Sequence, residues 1–206
     1  MADNNYEQRH LETLDRDLGR LSALGQATSY ATRPVMGLGV SLAFIILAGL
    51  TALYLFGNTG NTVVVVIAAG LGAYMALNIG ANDVANNMGP AVGANALTMG
   101  GAIAIAVIFE SAGALLAGGD VVSTIAKGIV APESLQTTSI FIWAMLAALL
   151  SAALWVNLAT WIGAPVSTTH SVVGGVMGAG IAAAGFAAVN WPTMYKIAAS
   201  WVISPV

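Results

Sequence analysis

Asn78-Ile79-Gly80-Ala81-Asn82-Asp83-Val84-Ala85-Asn86-Asn87 is the stretch on which the reading of this chain turns. It closes an apolar segment long enough to cross a membrane and sets a carboxylate among carboxamides at its end. A carboxylate at membrane depth costs on the order of 3 kcal/mol on insertion scales, so it is kept where something uses it. Glycines and carboxamides break a helix and supply oxygen ligands. The run therefore predicts a helix interrupted at membrane depth, with its freed oxygens gathered around an ion.

The rest of the composition agrees with a membrane setting. The chain has 206 residues, 58% hydrophobic and 7% charged, with a mean hydropathy of +0.84. Soluble domains carry about a quarter charged residues. No residue between Arg33 and Lys127 is basic, and the acids there are Asp83, Glu110 and Asp120. At roughly 20 apolar residues per span, about six spans fit. The absence of cysteine excludes disulfides and thiolate metal sites. Residues 1-33 lack the basic, apolar, small-residue order of a cleavable signal peptide.

Working outward, 1-33 is a polar extension in which Leu11, Leu14, Leu18, Leu21 and Leu24 make one apolar stripe on a short helix. Such a helix lies on the membrane surface or on a neighbouring subunit. Residues 34-61 form a first span, Val35 to Phe56, and a tight polar turn, Gly57-Asn58-Thr59-Gly60-Asn61. Residues 62-206 form the remaining unit. A second span runs from Thr62 to about Ile79, and Asn82 to Asn95 is too polar for lipid contact. A third span, Met99 to Ala117, carries Glu110, and Gly118 to Gln136 reads as an interfacial segment. A fourth covers about Ile140 to Ile162, and after an interruption an apolar helix follows from Ser171 to Val189. The last segment, from about Met194, is too short to span, which implies a fragment or one half of a larger assembly.

Two constellations carry chemistry. Asn82, Asp83 and Asn86, with carbonyls of a broken helix, make a hard-oxygen shell suited to Na+, or to a proton on Asp83. The second is Pro165-Val166-Ser167-Thr168-Thr169-His170, where a proline and three hydroxyls open a helix. Free N–H groups, hydroxyl donors and the positive dipole end there make an anion site. Nothing basic is near it in sequence, so an anion would need a co-bound cation. That is a symport arrangement. Glu110 belongs either to the cation path or to a protonated hydrogen bond with a neighbouring helix. His170 reads as an oriented polar group at a helix start, with a proton relay as its other role.

Gly80-Ala81-Asn82-Asp83-Val84-Ala85-Asn86, Phe109-Glu110-Ser111-Ala112-Gly113, Lys127-Gly128-Ile129 and Pro165-Val166-Ser167-Thr168-Thr169-His170 together resemble the N-terminal repeat of the PiT-type inorganic phosphate transporters. The resemblance covers roughly 65-206. It implies an all-α polytopic membrane protein, a helical bundle with broken or re-entrant helices that is one half of an inverted-repeat transporter. It also implies phosphate ligation by Ser167, Thr168 and Thr169, a cation site with Asn82 and Asp83, and coupling through Glu110. The coupling ion would be Na+ or H+, and the substrate phosphate or a metal-phosphate complex. A missing C-terminal repeat or a second copy of the chain would complete the site, and a homodimer in a bacterial inner membrane is expected. No nucleic-acid partner and no enzymatic activity are expected.

Two features depart from that pattern. Neither motif recurs in this chain, and a polar extension and a span precede the point where the family core starts. Arg9, Arg16, Arg20 and Arg33 before the first span place the N-terminus in the cytoplasm. The competing readings are a passive channel, a non-transporting subunit, and an intramembrane hydrolase using Ser167, His170 and Asp83. A channel filter needs a repeating ring of groups that Asp83 lacks, and no Gly-x-Ser-x-Gly elbow is present.

Overall fold

The computed structural model describes residues 35–135 and 137–203. The amphipathic helix expected within 1-33 lies outside the described residues. The chain divides into two compact units, Met1–Leu47 and Ala48–Val206. In the first, the described residues from Val35 to Leu47 are helical.

Among the described residues, four helices are long and apolar enough to cross a membrane: α1 (Val35–Phe56), the run Thr62–Gly93, α4 (Met99–Ser123) and α5 (Thr138–Trp161). The fold is that of an all-α polytopic membrane protein. The turn after Phe56 is closed by hydroxyls, with Thr59 and Thr62 both donating to the Phe56 carbonyl. The run Thr62–Gly93 comprises α2 (Thr62–Ile79), a π-helical turn (Gly80–Val84) and α3 (Ala85–Gly93). The interruption expected after Ile79 thus takes the form of an inserted residue, and the chain does not unwind. A π turn keeps its backbone groups paired, which is the cheaper solution where no water reaches them. The truly broken helix is the one expected at Ala164, where Gly163 takes φ +72° between α5 and α6 (Thr168–Ala184).

Other boundaries differ from expectation. α4 runs to Ser123 and not Ala117, because Asp120 stays within the helix and accepts from the Thr124 hydroxyl through its carbonyl. α6 starts three residues before Ser171, capped by Ser167, and stops at Ala184 before Gly185 at φ +79°. The last helix, α7, spans Trp191–Ile203.

α5 and α6 form the main pair, through small residues that let the backbones approach. A Cβ on Gly175 would stand 2.8 Å from the Ala148 carbonyl oxygen, and one on Gly180 would strike Val130. Val130 and Ile129 are fully buried, and Val130 bridges to Val189 beside the Asn190 N–H bond to the Ile129 carbonyl. A second cluster joins Met75 of α2 to Ala152, Ala153 and Val156 of α5. Large apolar side chains such as Leu115 (87% exposed) and Leu116 (88%) stand outward on α4. A surface of that kind suits lipid or partner helices, not water.

Candidate functional site

The site lies where the α5–α6 break meets the π turn. Ser167 is the N-cap of α6, and its Oγ accepts the His170 N–H at 3.3 Å. The Ser171 hydroxyl donates back to the Ser167 carbonyl. By position, the Thr168 and Thr169 N–H groups have no acceptor within the helix. They sit at the positive end of its dipole, which favours an anion. Thr168 is buried, and its Oγ1 donates to Asp83 Oδ2 at 2.6 Å; Thr169 is exposed. Of the three successive hydroxyls, one caps the helix, one ties the helix start to the carboxylate, and the third is exposed.

Asn82 is the hub of the other half. It is 4% exposed, on the π turn. Its Nδ2 donates to Thr160 Oγ1 at 3.1 Å and to the Ala164 carbonyl at 3.4 Å. Its Oδ1 accepts from Asn86 Nδ2 at 3.0 Å and from the Val166 N–H at 3.4 Å. Its carboxamide thus fastens the π turn to α5 at Thr160 and to the α5–α6 linker at Ala164 and Val166, with Asn86 of α3 bonded to the same oxygen. A cleft of about 160 Å³ remains beside it, lined by Asn82, Asn86, Thr160 and Pro165 among others. Asp83 is half-buried and its Oδ1 has no partner among the described residues. A second cleft, of about 390 Å³, opens at Ser167, His170, Ser171, Val166 and Trp155.

The structure thus brings Asn82, Asp83, Asn86, Ser167 and Thr168 together. It does not bring Glu110 to them: that side chain is exposed on α4, with no hydrogen bond among the described residues. The His170 ring stacks on Trp201 of α7, with centroids 3.7 Å apart. Ser167, His170 and Asp83 do not form a nucleophile–base chain, since Ser167 Oγ meets the His170 backbone and Asp83 meets Thr168. Sequence reading passed over Thr160 and the Asn78–Asn157 pair, joined by Asn157 Nδ2 to Asn78 Oδ1 at 2.9 Å. The available signal was a carboxamide or hydroxyl inside an apolar span, which at membrane depth finds a partner on another helix.

Residues 79–206 match the family model described as "Phosphate transporter family". A protein of Helicobacter pylori named "Putative phosphate permease" is 53% identical over 191 residues, which are 92% of this chain and 36% of that protein. A protein of Thermococcus kodakarensis with the same designation is 46% identical over 142 residues, 69% of this chain and 34% of its own length. Among solved structures, one described as "The sodium-dependent phosphate transporter" aligns with a TM-score of 0.66 and 49% identity, covering 70% of this chain and 36% of that one. The chain spans about a third of the length of the relatives it matches.

Proposed function

Because the chain belongs to the phosphate transporter family, we propose that it carries one half of the site of a secondary transporter that moves inorganic phosphate across the membrane together with Na+. The observation that carries this reading is the Thr168–Asp83 hydrogen bond, which sets an anion-favouring helix start directly against a carboxylate. Two like unit charges about 4 Å apart repel by roughly 4 kcal/mol at an effective dielectric of about 20. That corresponds to about a thousandfold in affinity. Phosphate at the Thr168 and Thr169 amides therefore waits for a cation on Asp83, and each ligand favours the other. Such reciprocity is what symport requires.

In this reading Ser167, Thr168 and Thr169 hold phosphate through N–H and O–H donors, the Thr168 hydroxyl joining them only once a cation takes its place on Asp83. Asp83 and Asn86 offer oxygens to the cation, and Asn82 joins them only by releasing the Val166 N–H. Glu110 enters the cation path from α4 once a neighbouring segment covers it. The sodium dependence in the name of the solved relative supports Na+ over H+. The relatives' greater length supports a second half supplied by a further repeat or by another copy of the chain, in a homodimer. In the same reading the 34-61 helix and turn stand outside the repeat, 62-206, and the basic residues before α1 support a cytoplasmic N-terminus; a bacterial inner membrane is the setting proposed.

The test is radiolabelled phosphate uptake into proteoliposomes under an inward Na+ gradient, with a proton gradient of equal size as the comparison. Saturable uptake driven by Na+ is expected. Uptake driven only by protons would move the coupling to protonation of Asp83. Uptake without any driving gradient dependence would make the protein a passive pore. This chain by itself is expected to give no uptake, since alternating access needs one repeat to rock against another.

A further inference from the structure

We infer that Asn157 of α5, acting through Asn78, sets the phase of the π turn that carries Asp83, and is thus a positioning residue for the cation half of the site. The inference rests on the cation reading of Asp83 given above.

Asn78 sits two residues before the π turn and is 4% exposed. Both ends of its carboxamide are used: Nδ2 donates to the Tyr74 carbonyl at 2.8 Å, and Oδ1 accepts from Asn157 Nδ2 at 2.9 Å. Four residues on, Asn82 meets Thr160, three residues beyond Asn157. The two contacts advance together along both helices, so α2 and α5 run parallel here and share a polar ladder. One rung precedes the π turn and the other lies within it.

An inserted residue in a helix has no fixed home. The extra residue can pass to the next turn with little change in backbone hydrogen bonding, but each such step rotates every side chain beyond it. A π turn at a functional site therefore needs something outside its own helix to hold it in place. The Asn78–Asn157 rung supplies that hold on the upstream side. What the carboxamide pair of buried Asn78 and exposed Asn157 adds is register, since the two amides meet in only one alignment of the helices. Loss of the rung lets Asp83 turn away from Thr168, while the α6 N-terminus, held by its own Ser167 cap, stays where it is.

The consequence is a split between the two ligands. In the whole transporter, Asn157→Leu keeps the side-chain size and removes the donor. It is expected to raise the Na+ concentration for half-maximal phosphate uptake tenfold or more, with the phosphate KM at saturating Na+ changed by less than twofold. Asn157→Gln retains a donor and is expected to stay within about threefold of the parent for Na+. Leu158→Ala, an exposed neighbour on α5, should move neither constant. If Asn157→Leu does not accumulate in the membrane, Asn157→Ser is read in its place with the same expected direction. An unchanged Na+ requirement in a protein that is Na+-dependent overturns the inference alone. So do equal rises in both constants, because a merely structural rung damages both ligands alike. A parent protein without cation dependence removes the reading of Asp83, and this inference with it.

Discussion

The Thr168 hydroxyl, in the first turn of α6, donates to the Asp83 carboxylate on the π turn across 2.6 Å, joining two residues 85 positions apart. The contact brings the two motifs together. The donor at that place is neutral, so the carboxylate has a hydrogen bond there and not a fixed ionic partner. A lysine or arginine there would have satisfied it permanently.

Charge at Asp83 is the first quantity to test. Asp83→Asn keeps an oxygen able to accept from Thr168 and removes only the charge. Na+-dependent phosphate uptake is expected to fall at least a hundredfold while the protein remains in the membrane at parental level. Normal ion-dependent uptake by this variant would take Asp83 out of the mechanism.

Thr168→Val preserves shape and deletes the hydroxyl. A hydrogen bond to a charged group is worth up to ~3 kcal/mol net, so apparent phosphate affinity should weaken by roughly tenfold to a hundredfold. Val172→Ala on the same helix, which packs in both apolar clusters, is the packing control and should leave affinity nearly unchanged. Equal losses in the two variants would mean that Thr168 serves folding and not the anion.

The α5–α6 contact makes opposite forecasts for two glycines of one helix. Gly175→Ala puts a methyl 2.8 Å from the Ala148 carbonyl, a backbone atom that cannot swing aside. The overpacking cost of about 1–3 kcal/mol outweighs the gain of about 1 kcal/mol in helix propensity. Gly178 has nothing within 4 Å of its added Cβ, so Gly178→Ala collects the propensity gain alone. Thermal unfolding in mild detergent should show the first variant below the parent and the second at or above it. The reverse order would show that the α5–α6 seam is not packed as described.

His170→Phe keeps an aromatic ring to stack on Trp201 and removes both ring nitrogens. If His170 only fastens α7 to the start of α6, uptake and its pH profile should match the parent within about twofold, while Trp201→Ala lowers both uptake and thermal stability. A flattened pH profile in the Phe variant would instead assign His170 a proton-carrying role.

Much of the architecture could be read from local properties of the chain. Long apolar runs bounded by polar turns mark spans wherever they occur, because hydrocarbon accepts only a backbone that satisfies itself. Val35–Phe56 and the start of α2 at Thr62 came out as expected for that reason. The hydroxyl run opening α6 was legible as well, since an N-cap is defined by the residues next to it. The ends of α4 and α6 were less so. Asp120 and Ser171 read as breakers of apolarity, yet each sits inside a helix, because a helix tolerates a polar residue whose own bonds are met.

What the sequence by itself determined, then, is the membrane class, the span positions and the two motifs that hold polar groups at membrane depth. These follow from hydropathy and helix-end chemistry, which act over a turn or two of chain. The tertiary structure alone decided that the run after Ile79 becomes a π turn and not a break, that Asn82 ties that turn to α5 and to the α5–α6 linker, and that Thr168 is the hydroxyl facing Asp83. It also paired Asn78 with Asn157 and His170 with Trp201, and left Glu110 outside the cluster. Each of these depends on which helices lie side by side and in what register. That is set by small residues such as Gly175 and Gly180 packing against particular neighbours, an energy summed over the whole interface and written in no single stretch of residues.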